Sequence, residues 1–208
     1  RSATRCRDWR NDGVLARATV ATSPRSWRAH DALAAALVAE GHLPEAEREY
    51  REVMRINPRV SDAPRSLAGL LVRRGELDAA IRVLKPAAAA HRDGATWLAL
   101  AQAQLLRGAD AEALVALART EELSGNVPSV RIGRAAIALR RSDPAEALRL
   151  LDGLWAARPD RADDVLPIWI QALIESGRET EATDAVCAWQ PLSEVARIDR
   201  ARWLGRLA

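Results

Sequence analysis

Apolar residues recur at helical spacing along this 208-residue chain, in short segments that end at glycine. In the first clear segment, Leu33 and Leu37 lie four residues apart and the segment ends at Gly41. A spacing of four places both leucines on one face of a helix. Glycine tolerates the left-handed conformation with which many helices end. The pattern therefore predicts amphipathic helices separated by tight turns.

A glycine-alanine pair repeats with a period of about 34 residues. Gly41 is followed five residues later by Ala46. The same pair recurs as Gly75/Ala80, Gly108/Ala113 and Gly177/Ala182, with Ser142/Ala147 as a weaker copy. A large residue stands eight positions before each glycine or serine, at Leu33, Leu67, Leu100, Arg134 and Trp169, and the next position carries Ala34, Ala68, Ala101, Ala135 and Ile170. Two helices per period and small residues at the helix crossings are the pattern of a stacked helical repeat.

The markers predict where each helix begins and ends. Helix pairs are expected at 27–40 and 43–57, 61–74 and 77–91, 94–107 and 110–124, 128–141 and 144–158, and 162–176 and 179–189. A solitary helix is expected at 8–22 and a last one at 193–206. Pro86 should kink its helix, and Pro167 should delay the start of its helix. Asp143 should cap the helix that starts at Pro144.

These features resemble the tetratricopeptide repeat (TPR) family over residues 8–190. The resemblance implies an all-α fold, a right-handed α-solenoid of about five helix-turn-helix repeats in one domain, 1–208. The expected organisation is an N-terminal half-unit (8–24), repeats at 27–60, 61–93, 94–127, 128–161 and 162–192, and a capping helix (193–208). In that family the first helix of each repeat lines a concave face that binds proteins or peptides.

Carried over position by position, the resemblance assigns the groove to residues on these first helices. They are Arg28, Asp31, Asp62, Arg65, Leu98, Gln102, Leu105, Ile132, Leu139 and Gln171. The first two repeats contribute charge, and the next two contribute mostly apolar side chains that suit an amphipathic helix or an apolar peptide. The Lys/Asn/Arg set of the carboxylate-clamp TPRs is absent from the matching positions, which argues against an acidic C-terminal ligand.

Charge and hydropathy narrow the classes of partner. The chain has 31 Lys+Arg against 28 Asp+Glu, a net charge of +3, and no basic block, so we expect no nucleic-acid partner. No stretch approaches the roughly 18 to 20 apolar residues of a membrane span. Cys6 and Cys187 lie near opposite ends of the chain, and two cysteines at this spacing do not indicate whether the protein occupies an oxidising or a reducing compartment. Cys187 is expected to be buried.

Catalytic and cofactor motifs are absent from the sequence. There is no G-x-S-x-G, P-loop or G-x-G-x-x-G, so no enzyme activity and no cofactor are expected. His30, His42 and His91 lack the i,i+4 spacing and third ligand of a metal site, and each is interpreted as structural.

The N-terminal residues carry a second resemblance. Arg5-Cys6-Arg7-Asp8-Trp9-Arg10-Asn11-Asp12 is similar to the entry into the TPR region of transmembrane-and-TPR (TMTC-type) membrane proteins. This implies an alternative function, the accessory domain of a multi-spanning glycosyltransferase-like protein, tethered by a membrane region outside this sequence. Its location would then be extracytoplasmic, although basic residues beside a membrane helix favour the cytoplasmic side. Without the tether, a cytoplasmic location is expected.

Overall fold

A computed structural model shows that the chain is all-helical. It describes residues 12–90, 93–125, 127–154 and 162–207. Those residues form twelve α-helices and no β-strand. The helices are α1 (Asp12–Thr22), α2 (Trp27–Ala39), α3 (Leu43–Ile56), α4 (Asp62–Arg73), α5 (Leu77–Ala90), α6 (Gly94–Arg107), α7 (Asp110–Ser124), α8 (Pro128–Arg140), α9 (Pro144–Leu151), α10 (Ala162–Glu175), α11 (Glu179–Ala188) and α12 (Glu194–Leu207).

Most helix ends agree with the prediction to within one residue. The clearest difference is α9, which was expected to extend to residue 158 and ends at Leu151. Residues 155–161 lie outside the described part of the chain, as do Cys6, Trp9 and His91. Asp143 caps α9 as predicted, because its carboxylate accepts a hydrogen bond of 3.0 Å from the backbone N–H of Glu146.

The chain divides into two compact units, residues 1–108 and 109–208. In the N-terminal unit each helix from α1 to α6 packs on the next, and α4 also packs on α6. In the C-terminal unit the same holds from α7 to α12, and α8 also packs on α10. Contact between the first helices of successive repeats thus occurs inside each unit.

The small residues predicted at the helix crossings are buried. Nine of the ten crossing positions carry alanine and the tenth carries Ile170, and each is at most 2% exposed. The alanines are Ala34, Ala46, Ala68, Ala80 and Ala101 in the N-terminal unit and Ala113, Ala135, Ala147 and Ala182 in the C-terminal unit. A side chain of one carbon lets neighbouring backbones approach closely, which explains why alanine recurs there.

Ser142, which replaces the glycine of the turn motif in the fourth repeat, carries backbone strain. Gly41, Gly75, Gly108 and Gly177 have φ between 73° and 81°, and Ser142 adopts φ 58° at the same place in its turn. Among the described residues, Ser142 is alone in having a positive φ without being glycine. The left-handed conformation costs an L-residue about 1–2 kcal/mol.

Pro86 and Pro167 both lie inside helices. α5 continues through Pro86 to Ala90, and the kink expected there stays a prediction. The expected delay at Pro167 is wrong, since α10 already begins at Ala162. Pro167 is the sixth residue of α10, so the helix lacks the one hydrogen bond that an N–H there would donate to the Asp163 carbonyl, and the preceding turn is still helical.

Cys187 corrects another prediction. The cysteine is exposed, whereas Val186 beside it is fully buried. Successive helical residues point about 100° apart, so the residue after a core position readily faces solvent.

A buried amide interrupts the leucine pattern of the first helices. Gln104 is 8% exposed, and its Oε1 is without a hydrogen-bond partner in the described structure. The matching positions of the first and second repeats carry Leu37 and Leu71, both buried. An unpaired buried acceptor costs about 1–3 kcal/mol.

Replacing Ser142 by glycine should stabilise the protein. Removing the Cβ relieves the strain, so Ser142→Gly should raise the free energy of unfolding by about 1 kcal/mol. For a chain of this length that is a melting temperature about 2–4 °C higher by circular dichroism. Ser142→Ala keeps the Cβ and should give no increase. A glycine variant that melts below the wild type would contradict the strain.

Replacing Gln104 by leucine should also stabilise the protein. The change removes the unpaired acceptor and restores the residue found at the matching positions, so we expect a gain of about 1–3 kcal/mol in urea unfolding. Gln102→Leu is the matched control, because Gln102 is exposed on the same helix, and its effect should stay within about 0.5 kcal/mol. Equal effects of the two substitutions would be evidence against the burial argument.

Candidate functional site

A cleft opens between α4 and α6 in the N-terminal unit. It has a volume of about 460 Å³ and brings together three of the predicted groove residues, Arg65, Gln102 and Leu105. The remaining lining is Ala68, Gly69, Val72, Leu84, Ala99, Ala103 and Leu106. Its surface is therefore apolar apart from two side chains at the rim.

Gly69 lies in the middle of α4 and forms part of this cleft. A Cβ built there would meet no atom within 4 Å, and the glycine φ is not positive. Glycine inside a helix costs about 0.5–1 kcal/mol relative to alanine. Neither the packing nor the backbone of α4 requires glycine here, so its presence leaves space that the fold itself does not use.

Arg65, on the rim of the cleft, is held by two carboxylates. Its guanidinium donates to Asp62 one turn earlier, and its Nε lies 3.9 Å from Asp93 Oδ2. Asp93 also caps α6, accepting 3.0 Å from the backbone N–H of Ala95 and 2.7 Å from the Thr96 hydroxyl. Burial raises the pKa of Asp93, but these hydrogen bonds and Arg65 outweigh it and lower the pKa.

Asp31 stands out among the predicted charged residues because its carboxylate forms no ion pair within the described part of the chain. The carboxyl is half-buried on α2. Burial and then the negative charge of Asp62 raise the pKa of Asp31. Two acidic side chains thus face the same region at this end of α2 and α4.

Arg28 lies at a second cavity, between α1 and α2. Its guanidinium carbon lies 4.5 Å from the centroid of the Trp27 ring. The cavity has a volume of about 780 Å³. Its wall is rich in alanine and consists of Gly13, Leu15, Ala16, Thr19, Ser26, Arg28, Ala29, Ala32, Ala35, Ala36, Ala39 and Glu40.

In the C-terminal unit the predicted residues are engaged by their neighbours. Ile132 and Leu139 are half-buried and pack against a buried cluster that includes Leu151 and Val165. Gln171 donates to Glu175 and accepts a hydrogen bond of 3.4 Å from Arg206 on α12. The cleft of the N-terminal unit is more open to a ligand than these positions.

Sequence reasoning missed part of the cleft and one anchoring residue. Leu106 borders the cleft and is 62% exposed. The one sign of this in the sequence is a leucine at a position outside the buried face of α6. Asp163 lies in the first turn of α10 and belongs to none of the sequence motifs. Its carboxylate also accepts from Trp189 Nε1 at 3.1 Å and from the backbone N–H of Ser193 at 2.9 Å, which fixes the turn before α12.

His30 has a structural role, as expected, and is 7% exposed. Its Nδ1 lies 2.6 Å from Glu49 Oε2 and its Nε2 lies 3.0 Å from the Pro24 carbonyl oxygen. Burial lowers the pKa of His30, but the bonds to Glu49 and Pro24 and the charges of Glu49 and Glu52 raise it above its ordinary value. Two acceptors around one ring favour the doubly protonated imidazolium.

Comparison with known proteins agrees with this architecture. The tetratricopeptide repeat family profile matches residues 37–103. The chain therefore carries tetratricopeptide repeats within residues 37–103. No curated protein sequence matches it. No helix in the described ranges is both long and apolar enough to cross a bilayer, and no group of three or more His, Cys, Asp or Glu residues in those ranges could hold a metal ion.

Solved TPR structures share the fold. A Pseudomonas aeruginosa PilF structure is 20% identical, with a TM-score of 0.72 over 93% of this chain and 87% of its own. YrrB, described as a TPR protein with an unusual peptide-binding site, is 15% identical, with a TM-score of 0.62 over 82% of this chain and 88% of its own.

A third structure is longer than this chain. The APC/C hetero-tetramer Cut9-Hcn1 structure is 18% identical, with a TM-score of 0.72. The match covers 83% of this chain but only 34% of the other. At these identities the likeness establishes the fold.

The His30 contacts should make stability depend on pH. Because the folded-state pKa lies above the unfolded value of 6.5, the stabilisation is fully present below pH 6.5 and is lost as the pH rises through the folded-state pKa. Urea unfolding from pH 5.5 to 9 should show this loss. His30→Gln should flatten the profile in that window, and an unchanged profile would contradict the assignment.

Proposed function

We propose that this TPR chain is a non-catalytic scaffold that binds a peptide or helix of a partner protein on the first helices of its repeats. The observation that carries the proposal is the cleft between α4 and α6. It contains three residues assigned to the groove from sequence, and its lining is apolar. Concave apolar sites with few polar groups are the usual form of a ligand site.

The fold supports the same proposal at a coarser level. TPR proteins typically act as protein-interaction scaffolds, and stacked helix pairs present extended surfaces for recognition. YrrB is one such relative in fold whose structure is described as having a peptide-binding site. The proposed binding face comprises Arg28, Asp31, Asp62, Arg65, Leu98, Gln102 and Leu105 in the N-terminal unit and Ile132, Leu139 and Gln171 in the C-terminal unit.

A charged side chain at Leu98 should weaken capture of a partner. Leu98 is half-buried on α6, at a predicted groove position. Leu98→Glu places an unpaired carboxylate in that face, and we expect at least about tenfold less partner in quantitative affinity capture from the native host. Ile132→Glu and Leu139→Glu test the C-terminal unit in the same way.

Val115→Glu is the matched control for this experiment. Val115 is 62% exposed on α7, a second helix of its repeat, and lies outside the proposed face. Its capture should equal that of the wild type. Melting curves separate lost binding from lost folding. A partner retained by all three groove variants while their folds stay intact would refute the proposal.

A further inference from the structure

The cleft at Gly69 has a chemistry that distinguishes between kinds of peptide. Its floor and walls are alanine, glycine, valine and leucine side chains, and only Arg65 and Gln102 add polar groups. An extended peptide buried there would leave its backbone N–H and C=O groups without partners, which is costly. A helix satisfies its own backbone groups, so the lining favours a helical ligand.

Gly69 gives a helix room to approach closely. The exposed glycine has open space where a Cβ would stand. Small residues also face the cleft from both sides, with Ala68 on α4 and Ala99 and Ala103 on α6. Small side chains let helix backbones come close together, so an incoming apolar side chain can reach Leu84 at the floor.

The polar end of the face carries three carboxylates against two arginines, Arg28 and Arg65. Asp62 and Asp93 lie at the starts of α4 and α6, Asp31 lies one turn inside α2, and the guanidinium of Arg65 is shared between Asp62 and Asp93. Asp62 and Asp93 stand at helix starts, where the helix dipole favours an anion. Asp31 is one turn inside α2 and lacks both this support and an ion pair within the described residues. This end of the face is complementary to a cation.

The two features lie on one face of α4 at a defined separation. Asp62 and Gly69 are seven residues apart, which is two helical turns and about 10 Å along the axis. A partner helix lying along α4 has the same rise per residue. Its cation and its apolar anchor would therefore also stand about seven residues apart on one face.

We propose that the Gly69 cleft, together with Asp31 and Asp62, is the anchor site for a basic amphipathic helix of a partner protein. The helix places one or two apolar side chains in the cleft and a lysine or arginine, two turns away, at the carboxylates. This assignment rests on the proposed scaffold function and names the class of ligand for the N-terminal unit.

The test uses three fluorescein-labelled model peptides and the whole chain. The first is an alanine- and glutamine-based helix with two leucines one turn apart and a lysine two turns from the first leucine. The second has glutamate in place of the lysine, and the third has a central proline that breaks the helix. Fluorescence anisotropy should show binding of the first peptide and at least about tenfold weaker binding of the other two.

Substitutions at glycine locate the binding. Gly69→Leu fills the cleft and should weaken the first peptide about tenfold. Gly205→Leu is the matched control, since Gly205 is also exposed in a helix with open space around it, and it should leave affinity unchanged. Gly69→Ala should melt at or above the wild-type temperature yet bind more weakly. If Gly69 had only a structural role, a variant that is as stable as the wild type would not bind the peptide more weakly.

A substitution at Asp31 tests the charge. Asp31→Asn should weaken the lysine peptide and leave the glutamate peptide unchanged or slightly stronger. The inference is overturned if the lysine peptide does not bind, if the glutamate or proline peptide binds equally well, or if Gly69→Leu retains full affinity. If the natural partner is lost by Leu98→Glu but retained by Gly69→Leu, the scaffold function stands and the anchor assignment fails.

Discussion

The close approach of helices at single-carbon side chains is the constraint on which this structure depends. Nine of the ten crossing positions are alanine, and all ten are at most 2% exposed. A longer side chain at such a crossing would push the helices apart and cost about 1–3 kcal/mol. Because alanine itself buries little apolar area, larger side chains beside the crossings, such as Leu67, Leu84 and Leu117, supply most of the hydrophobic burial. Alanine thus sets the distance between helices, and the larger side chains supply the stabilisation.

Ion pairs mark the same edge of successive repeats. In each pair a residue at the end of a first helix contacts the helix before it. The partner lies in the N-terminal half of the preceding second helix or, in α1, is Arg17. The pairs are Arg17–Glu40, Glu47–Arg74 and Asp78–Arg107 in the N-terminal unit and Asp110–Arg140 in the C-terminal unit. Each exposed pair contributes about 0–1 kcal/mol. In two of them, Asp78–Arg107 and Asp110–Arg140, the acid stands in the first turn of a helix and the arginine at a helix end, where the helix dipoles favour them. The main effect of these pairs is therefore to disfavour packing in which neighbouring helices are shifted along their axes, and their contribution to stability is small.

The features that could be predicted from sequence are those that the period itself specifies. Helix ends follow from the turn residues, and the buried alanines follow from their phase. Ser142 could be placed in the turn for the same reason, although its strained φ could not be foreseen. The prediction that Cys187 is buried was wrong because consecutive helical residues point about 100° apart, so Val186 can be buried while Cys187 faces solvent. The cleft could be predicted only in part, since Leu84 and Leu106 reach it from helices whose separation depends on tertiary packing.

The candidate faces show that side-chain size decides where an apolar surface stays open. Sequence suggested charge in the first two repeats and apolar side chains in the next two. In the C-terminal unit the larger side chains Ile132 and Leu139 pack against the core beside them and are half-buried. In the N-terminal unit the glycine and alanines of α4 and α6 are too short to fill the space between them, so a cleft of about 460 Å³ remains. Small residues therefore have opposite effects on two faces of one helix. Ala68 lies at a helix crossing and also borders the cleft, whereas a Cβ at its neighbour Gly69 would meet no atom within 4 Å.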